Sequence, residues 1–496
     1  MINFKLKTKI FIIILILLTT TNFSHSFCNP NNEQNFEEII DYSDLDWDDI
    51  DDQEFRSPCD PIDLECLLEA AQNFSDPVWK LTKPPKGRDV LYLIPHKLLA
   101  IEYGGIICNI FYNSTNNMNY MLDEIINLDA NKQAFECFIE ALNKELSSKE
   151  ISSLIPLFKK SSIQERKAGL LLQGGFFSGP FIFQINTSLQ FSERNFWLNK
   201  KDQAEIKNIL AQDGYSLETK EFYKYKIGLG DTRLKTGLNT LNMSNIVLDL
   251  GFEGIIPTSI ISNIPHLKSY NIDFENYEKS LICVLNSIRD NMITPRLGNY
   301  GHLGLGCYAE AKVSLFHDSI HWWNRVSFDN FFVAKEDRLI SSKQTMPSPK
   351  EDFQYFNNNI LLPYLGGNPE PATEFLKQFL FPPAYRVTVK PGGIFTFVSA
   401  FTFSIAKKWN IGTGYDFYFQ QAEKFTAIHN DVSPSSLLLK NAALPSSYQH
   451  KIFAEATHIK KHKRWDSNLG IGGDYTISSK RMGKDWTIFL RIGASF

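Results

Sequence analysis

The C-terminal stretch of this chain alternates apolar and polar positions with a period of two. One face carries Trp486, Ile488, Leu490, Ile492, Ala494 and Phe496. The opposite face carries Thr487, Phe489, Arg491, Gly493 and Ser495. Successive side chains of a β-strand point to opposite faces, so this pattern predicts a strand with one apolar side. Such a side packs either on the core of a soluble domain or against lipid.

The same alternation recurs along most of the chain after about residue 90. It is clearest in 180–192, where one face holds Phe181, Phe183, Ile185, Leu189 and Phe191. The other face of that stretch holds Gln184, Asn186, Ser188, Gln190 and Ser192. Similar alternation marks 246–253, 300–315, 411–420 and 468–477. Bulky apolar residues on one face and small or polar residues on the other are typical of a β-barrel with lipid outside and a polar interior.

The alternating stretches predict about twelve strands. These strands are expected at 97–112, 166–176, 180–195, 221–240, 244–256, 298–315, 319–333, 384–406, 410–422, 447–460, 467–478 and 485–496. Short turns are expected at 177–179, 241–243, 316–318, 407–409 and 461–466. Longer connections are expected at 113–165, 196–220, 257–297, 334–383 and 423–446, with a shorter one at 479–484. Bacterial barrels show this alternation, with brief periplasmic turns, long extracellular loops and both termini in the periplasm.

Two stretches leave ten or fourteen strands as alternatives. The strand at 384–406 merges two shorter ones across Pro391 and Gly392, because its apolar positions keep one parity throughout. Asp231 and Arg233 interrupt the apolar face of 221–240 and indicate either a bulge or an additional hairpin.

The long connections carry helical spacing at 133–150, 200–211, 277–291 and 372–379. The predicted fold is therefore all-β, a transmembrane antiparallel β-barrel of about twelve strands with helical extracellular loops and an acidic N-terminal extension. In the alternative, a soluble α+β protein, the same helices would pack on one side of a sheet.

The first 26 residues have the features of a secretory signal peptide. Lysines at positions 5, 7 and 9 precede an apolar run at 10–18, and the small residues Ser24 and Ser26 follow. Cleavage is predicted after Ser26. The apolar run is shorter than the ~20 residues that a membrane-spanning helix needs, so the mature chain is expected to be exported.

Residues 27–90 form the second predicted region, which is strongly acidic. Seven aspartates lie at positions 41, 44, 46, 48, 49, 51 and 52, and Arg56 is the single basic residue in 33–69. This composition is typical of a solvated periplasmic extension. The alternative is a plug that folds into the mouth or lumen of a barrel formed by residues 91–496.

The signal peptide and the C-terminal strand ending on Phe496 resemble those of bacterial outer-membrane β-barrel proteins of the porin or transporter type. The resemblance covers residues 90–496 and assigns no narrower family. It implies a location in the bacterial outer membrane, in contact with its lipid. It also implies an assembly signal, read by the barrel-insertion machinery, formed by Trp486, Ile488, Leu490, Ile492 and Phe496.

Charged residues of the inward parity are the candidate pore-lining residues. They are Asp249, Glu253, Glu310, Lys312, Arg386, Asp416, Lys451, Glu455, Asp474 and Arg491. They would either set the electric field that a small solute meets in the lumen or pair with one another and stiffen the wall. Acids outnumber bases in this set, which favours cations. The expected function is a pore or transporter for small solutes, and the alternative is a surface adhesin or structural barrel acting through its loops.

Other chemistries find little support in the sequence. No Ser-His-Asn set falls on one outward face, so we expect no esterase and no other enzymatic activity. Residues His450 and His458 share a face but would lie about 26 Å apart along a strand, so neither a metal site nor a cofactor is expected. Nucleic acid is not an expected partner, because the net charge is -4 and no basic face is evident. Cys307 is expected to face lipid.

Overall fold

The computed structural model describes the chain in separate ranges. They are residues 87–94, 104–116, 162–197, 223–243, 245–259, 292–299, 301–316, 319–340, 384–405, 408–429, 433–437 and 439–496, with single helical positions at 201, 204 and 208. The signal peptide, residues 27–86 and the helices predicted at 133–150, 277–291 and 372–379 lie outside the described residues.

Sixteen strands make up most of the described chain. They are β1 (Gly104–Asn116), β2 (Ser162–Ser178), β3 (Phe181–Trp197), β4 (Tyr223–Leu229), β5 (Thr232–Asn242), β6 (Ile246–Ile256), β7 (Gly304–Leu315), β8 (Ile320–Phe331), β9 (Ala334–Leu339), β10 (Ala384–Lys390), β11 (Ile394–Ile405), β12 (Trp409–Gln420), β13 (Lys424–Ile428), β14 (Ser447–Lys461), β15 (Asp466–Lys480) and β16 (Lys484–Ser495). Short helical turns lie at Val90–Tyr92 and Pro434–Ser436, and a helix of one turn, α1, at Leu439–Ala442.

Thirteen of these strands form one sheet that closes on itself as a barrel of twelve strand positions. All pairs are antiparallel, and β1 pairs with both β16 and β2. Strand β3 pairs with β4 along one part of its length and with β5 along the rest, so β4 and β5 occupy a single position in the wall. The predicted twelve-stranded barrel is confirmed.

The break between β4 and β5 lies at Gly230 and Asp231, where the sequence predicted a bulge or an extra hairpin. No hairpin forms, because the Gly230 amide still donates to the Ser188 carbonyl of β3, at 2.8 Å. The Asp231 carboxylate leaves the strand pattern and accepts hydrogen bonds from the Ser259 hydroxyl and the Asn299 amide, both at 2.7 Å. These contacts interrupt the ladder without adding a strand.

Three wall strands continue into a separate sheet of three strands, in the order β13-β10-β9. The merged strand predicted at 384–406 is therefore wrong in one respect, because it divides into β10 and β11 at 391–393. Pro391 has no amide hydrogen to donate, and a Cβ on Gly392 would overlap the Gln421 carbonyl, so the ladder breaks there. The small sheet has its own core, formed by Ile340, Val387, Val389, Leu437 and Ala442.

The two ends of the barrel differ in their connections, as predicted. One end, here called the turn end, has brief connections at 179–180, 243–245, 316–319, 406–408 and 462–465, and there the Phe496 amide donates to the Gly104 carbonyl at 2.9 Å. The other end, here called the loop end, has the long connections and the small sheet. Among the described strands, 481–483 is the one short connection at the loop end that joins two wall strands directly.

The outer face of the barrel is apolar and the inner face is polar. In β3, Phe181, Phe183, Ile185 and Leu189 are exposed, whereas Gln184, Asn186, Ser188, Gln190 and Ser192 are buried. In β16, Ile488, Leu490 and Ile492 are exposed, Trp486 is half-buried and Arg491 points inward. Cys307 is exposed on the same outer face. Among the described residues, no helix has the length and apolar character to cross a membrane.

If the apolar outer face contacts lipid, the stability lost on placing a charged side chain there should depend on the depth of that position in the membrane. Replacing Leu490, near the middle of β16, by arginine should lower the free energy of unfolding in lipid vesicles by about 2–4 kcal/mol. The matched Ser467→Arg substitution, near the turn end of β15, should cost about 0–1 kcal/mol because arginine there reaches the interface. Denaturant titration followed by tryptophan fluorescence measures both, and equal costs would contradict a lipid-facing belt.

Candidate functional site

Seven of the predicted pore-lining residues are buried on the inner face of the wall. They are Glu253, Glu310, Asp416, Lys451, Glu455, Asp474 and Arg491. Asp249 and Lys312 share that face near the turn end and are half-buried. Arg386 is the exception, because it lies on β10 of the small sheet, outside the barrel wall, and pairs with Asp337 at 2.9 Å. That these residues line a path for solutes stays a prediction.

A first ion-pair network is centred on Glu253 of β6. Its carboxylate lies 3.5 Å from Arg233 and 3.6 Å from Lys235 of β5, and it also contacts Arg325 of β8. Arg233 reaches a second carboxylate, that of Asp329, at 3.2 Å. All five side chains are almost fully buried. A buried charge is strongly unfavourable without a partner, and here each charge has one.

A second network is centred on Lys451 of β14, whose side chain is completely buried. Its ammonium group lies 3.0 Å from Asp474 and 2.7 Å from Asp485. Gln449 and Thr476 donate to the second oxygen of Asp485, at 2.7 Å and 2.5 Å. Asp485 was not among the predicted pore-lining residues, although it has the same parity as Arg491 on the same strand.

A third network lies towards the loop end of β2 and β3. The Glu165 carboxylate lies 3.0 Å from the Lys167 ammonium and 2.8 Å from Nε of Arg194. None of the three was among the predicted pore-lining residues. Glu165 lies just before the strand predicted at 166–176, whereas Lys167 and Arg194 lie inside predicted strands, at positions for which no inward face was assigned. In the structure both strands extend further toward the loop end.

Residues 87–94, here called the lumenal segment, lie inside the barrel and contact all three networks. The Arg88 guanidinium lies 2.6 Å from Asp416, beside the second network, and also donates to Gln449 at 3.4 Å. The Lys167 ammonium of the third network donates to the Arg88 carbonyl at 2.8 Å. The Tyr92 hydroxyl donates to Asp329 of the first network at 2.7 Å. One short piece of chain therefore links three sectors of the wall.

The lumenal segment is shaped by a single 3-10 turn, Val90–Tyr92. Asp89 caps this turn, because its carboxylate accepts a hydrogen bond from the Leu91 amide at 2.8 Å. Val90, Leu91, Leu93 and Ile94 are each 1% exposed. They share an apolar cluster with wall residues Phe111, Leu171, Ile255, Phe331, Ile394, Met482 and Phe489.

The lumenal segment gives the plug alternative a physical basis in the part of the N-terminal region that is described. The turn at Val90–Tyr92 spans the predicted boundary between residues 27–90 and 91–496, so the lumenal segment contains residues from both predicted regions. Lys167, Arg233 and Asp329, three of its partners, lie within a few residues of the loop ends of their strands. The segment therefore occupies the loop-end half of the lumen.

A pocket that opens to solvent lies against the lumenal segment. Gly87, Asp89 and Tyr92 supply one side of it. Its other polar lining residues are Lys167, Arg194, Arg296, Asn299, His302, Glu336, Tyr418, Gln420 and Glu423. Because Gly87, Asp89 and Tyr92 line the pocket, a molecule bound there would touch the lumenal segment.

The rim of this pocket is held by Glu336 of β9. His302 Nε2 lies 2.7 Å from its carboxylate and Arg338 lies 2.8 Å from it. Burial alone would raise the pKa of Glu336, but Arg338 and His302 outweigh it and lower that pKa to about 2. Arg338 also contacts Glu423 beside β13, at 3.3 Å, while the His302–Glu336 contact joins the small sheet to the chain that precedes β7.

The histidines considered for metal binding lie in separate environments. The His450 ring accepts or donates a hydrogen bond with the Tyr415 hydroxyl at 2.5 Å, on the outer face. His462 stacks on Trp465 in a turn, with ring centroids 4.2 Å apart. Among the described residues, no three His, Cys, Asp or Glu side chains are arranged to hold a metal ion.

Comparisons with known proteins show weak similarity to outer-membrane barrels. No protein-family model matches the chain, and no curated protein matches it. A solved outer-membrane channel from Pseudomonas putida F1 has 9% identity and a TM-score of 0.39, covering 81% of this chain and 98% of that one. The Pseudomonas putida toluene transporter TodX has 6% identity and a TM-score of 0.27, covering 79% and 88%. The β domain of the Bordetella autotransporter BrkA has 7% identity and a TM-score of 0.29, covering 79% and 100%.

All three TM-scores are below 0.5, so the assignment rests on the strand pairing of this chain. The closed wall, the apolar outer face and the alternating connections confirm the resemblance to bacterial outer-membrane β-barrels. No narrower family emerges.

The buried Arg88–Asp416 pair should hold the lumenal segment in place. Replacing Arg88 by methionine leaves Asp416 without its partner, a loss that costs about 3–5 kcal/mol in a buried pair. Hydrogen exchange at the Tyr92 and Leu93 amides should then accelerate at least about tenfold. Arg386→Met is the matched control, because the Arg386 side chain is 48% exposed and its ion pair with Asp337 is worth at most about 1 kcal/mol. Equal exchange in both variants would contradict the anchoring role.

Proposed function

We propose that this chain is an outer-membrane transporter for small solutes whose lumen is closed by the lumenal segment and opens when that segment moves. The observation that carries this proposal is the convergence of three buried charge networks on residues 87–94. The mature chain would sit in the outer membrane after removal of the signal peptide. The insertion machinery would read its last strand, and lipid would surround its apolar face.

The closed state follows from the energetics of buried charge. Inward charged side chains such as Glu253, Lys451 and Asp329 are at most 1% exposed, whereas a water-filled channel would leave such groups in contact with solvent. Charges removed from water are tolerated only when they are paired and hydrogen-bonded. The lumenal segment supplies the Arg88 guanidinium to one carboxylate and the Tyr92 hydroxyl to another. It thereby replaces water along part of the lumen.

Opening would leave the wall intact. The ion pairs Lys451–Asp474 and Arg491–Glu455, at 3.0 Å and 2.8 Å, join wall strands to one another and do not involve the lumenal segment. Groups released by the segment, such as the Asp416 carboxylate, would be hydrated in an open lumen. The lumenal segment could therefore leave the lumen while the hydrogen-bonded wall of the barrel stays folded.

The completed set of inward charges changes the expected selectivity. The sequence-derived set had an excess of acids and favoured cations. To the wall that would line an open lumen, the structure adds the bases Lys167, Arg194, Arg233, Lys235 and Arg325 and the acids Glu165, Asp231, Asp329 and Asp485. These additions make the acid excess smaller relative to the whole set of inward charges, so we propose small polar solutes without a strong preference for cations.

A specific feature also supports the alternative of a surface adhesin or structural barrel. The sheet β13-β10-β9 has its own apolar core and stands at the loop end, beyond the barrel wall. A partner could contact this sheet without any solute entering the lumen. The alternative therefore predicts a folded barrel that conducts nothing in any variant.

Planar-bilayer conductance of the mature chain tests the proposal. The wild type should conduct little, and the double variant Arg88→Met with Tyr92→Phe should raise the mean current about tenfold or more. The reason is that the buried Arg88–Asp416 pair, at about 3–5 kcal/mol, and the Tyr92–Asp329 hydrogen bond, at about 1–3 kcal/mol, are both lost. Arg386→Met should behave as the wild type. A heat-modifiable gel shift establishes that each barrel is folded. Unchanged current in a folded double variant would refute closure by the lumenal segment, and silence from every folded variant would favour the adhesin.

A further inference from the structure

A corner of the turn end carries five exposed cations. They are Lys408, before β12, and Lys460, Lys461, Lys463 and Arg464, in the hairpin between β14 and β15. None of the five forms an ion pair with any residue in the described parts of the chain. In the lumen, by contrast, Arg88, Arg233, Lys451 and their neighbours are all paired. The five turn-end cations are therefore exposed at the barrel surface with charges that no ion pair in the described parts of the chain neutralises.

The hairpin geometry brings these cations together. The His462 amide donates to the Trp465 carbonyl at 2.9 Å, which closes the turn and places residues 463 and 464 at its tip. The Ile459 amide donates to the Lys408 carbonyl at 2.8 Å, so the neighbouring strand contributes the fifth cation to the same corner. One carboxylate, Asp466, lies in this corner. It is the register partner of Lys461 across the hairpin and of Ser495 on the other side, and it forms no ion pair with Lys461 in the described part of the chain, so five cations face one acid.

Large aromatic residues border the same corner. Trp409 is 50% exposed, Trp465 is 45% exposed and Phe496 is 62% exposed. His462 stacks on Trp465, and His458 packs edge-on to Trp409 with centroids 4.9 Å apart. Exposed tryptophans at one rim of an apolar barrel surface mark the depth of the membrane interface. The five cations are thus placed at the level of lipid headgroups.

We propose that this corner binds the headgroup of an anionic phospholipid, of the phosphatidylglycerol class, in the leaflet at the turn end. The phosphodiester would accept hydrogen bonds from lysine and arginine, and its acyl chains would lie along the apolar outer face of β14 and β15. A membrane-surface cation is worth about 1 kcal/mol towards anionic lipid, so several together give selective binding. This inference concerns the outer surface and does not depend on whether the lumen conducts.

The test measures lipid that stays with the full mature chain after extraction from vesicles of mixed phosphatidylcholine and phosphatidylglycerol. The wild type should enrich phosphatidylglycerol roughly threefold or more over its share in the vesicle. The variant Lys460→Gln, Lys461→Gln, Lys463→Gln and Arg464→Gln should lose this enrichment. The control removes the same number of exposed cations at the loop end, by changing Lys335, Lys390, Lys424 and Lys480 to glutamine, and should keep the enrichment.

The outcomes separate a lipid site from general charge attraction. Enrichment that falls equally in both variants would overturn the proposal, because overall charge would then explain it. Enrichment of lipid A but not of phosphatidylglycerol, measured in a second set of vesicles, would also overturn it. A gel shift on heating shows that the variant barrels are folded, so loss of lipid in the hairpin variant alone supports the site.

Discussion

Charge buried inside the barrel is the constraint on which the rest of this structure depends. A wall of twelve strands directs every second side chain inward, and many of those side chains are ionised. Each ionised group must keep a partner once water is excluded. Pairs such as Lys451 with Asp474 form between strands of the wall. Asp416, by contrast, is paired with Arg88 of the lumenal segment, which precedes the first wall strand. The wall and the segment are therefore electrostatically one unit.

The outer face of the barrel has the opposite requirement, because its side chains must be apolar. A lipid-facing position tolerates bulky apolar groups, and an interior position tolerates polar groups that can pair, so each strand needs the strict alternation seen in β3 and β16. The alternation is interrupted in two places. Asp231 breaks its strand, although the neighbouring β4 keeps an exposed apolar face, and the chain beyond 331, 394 and 420 separates into a small sheet with its own core.

Much of the barrel could be predicted from the sequence because alternation is a local signal. The strand positions, the turn end and the outward residues of β16 follow from patterns no longer than about fifteen residues. The inward direction of Glu253, Asp416 and Lys451 follows from the same parity. Parity does not tell where a strand stops being part of the wall, and for that reason Arg386 was assigned to the lumen although β10 belongs to the small sheet.

The partners of the inward residues could not be predicted in the same way. Whether Lys451 meets Asp474 or Asp485 depends on the stagger between strands, which the sequence does not display. The contacts of the lumenal segment were still harder to predict. Residues 87–94 lack the alternation of apolar and polar positions that marks a strand, and the residues they contact lie far along the chain. A plug was one of two interpretations of the N-terminal region, but nothing in the residues themselves pointed to Arg88 and Tyr92 as its contacts.

The remoteness of those contacts bears on the order in which the molecule is built. Tyr92 is separated from Asp329 by 237 positions, and Arg88 from Asp416 by 328. The N-terminal residues are synthesised early, yet their docking surface exists only after β8, β12 and β14 have joined the closing sheet. Contacts between distant parts of a chain form late, because ordering the intervening chain costs entropy. We therefore expect the closed barrel wall to form first, with an empty lumen, and the lumenal segment to dock inside it as the last step of assembly.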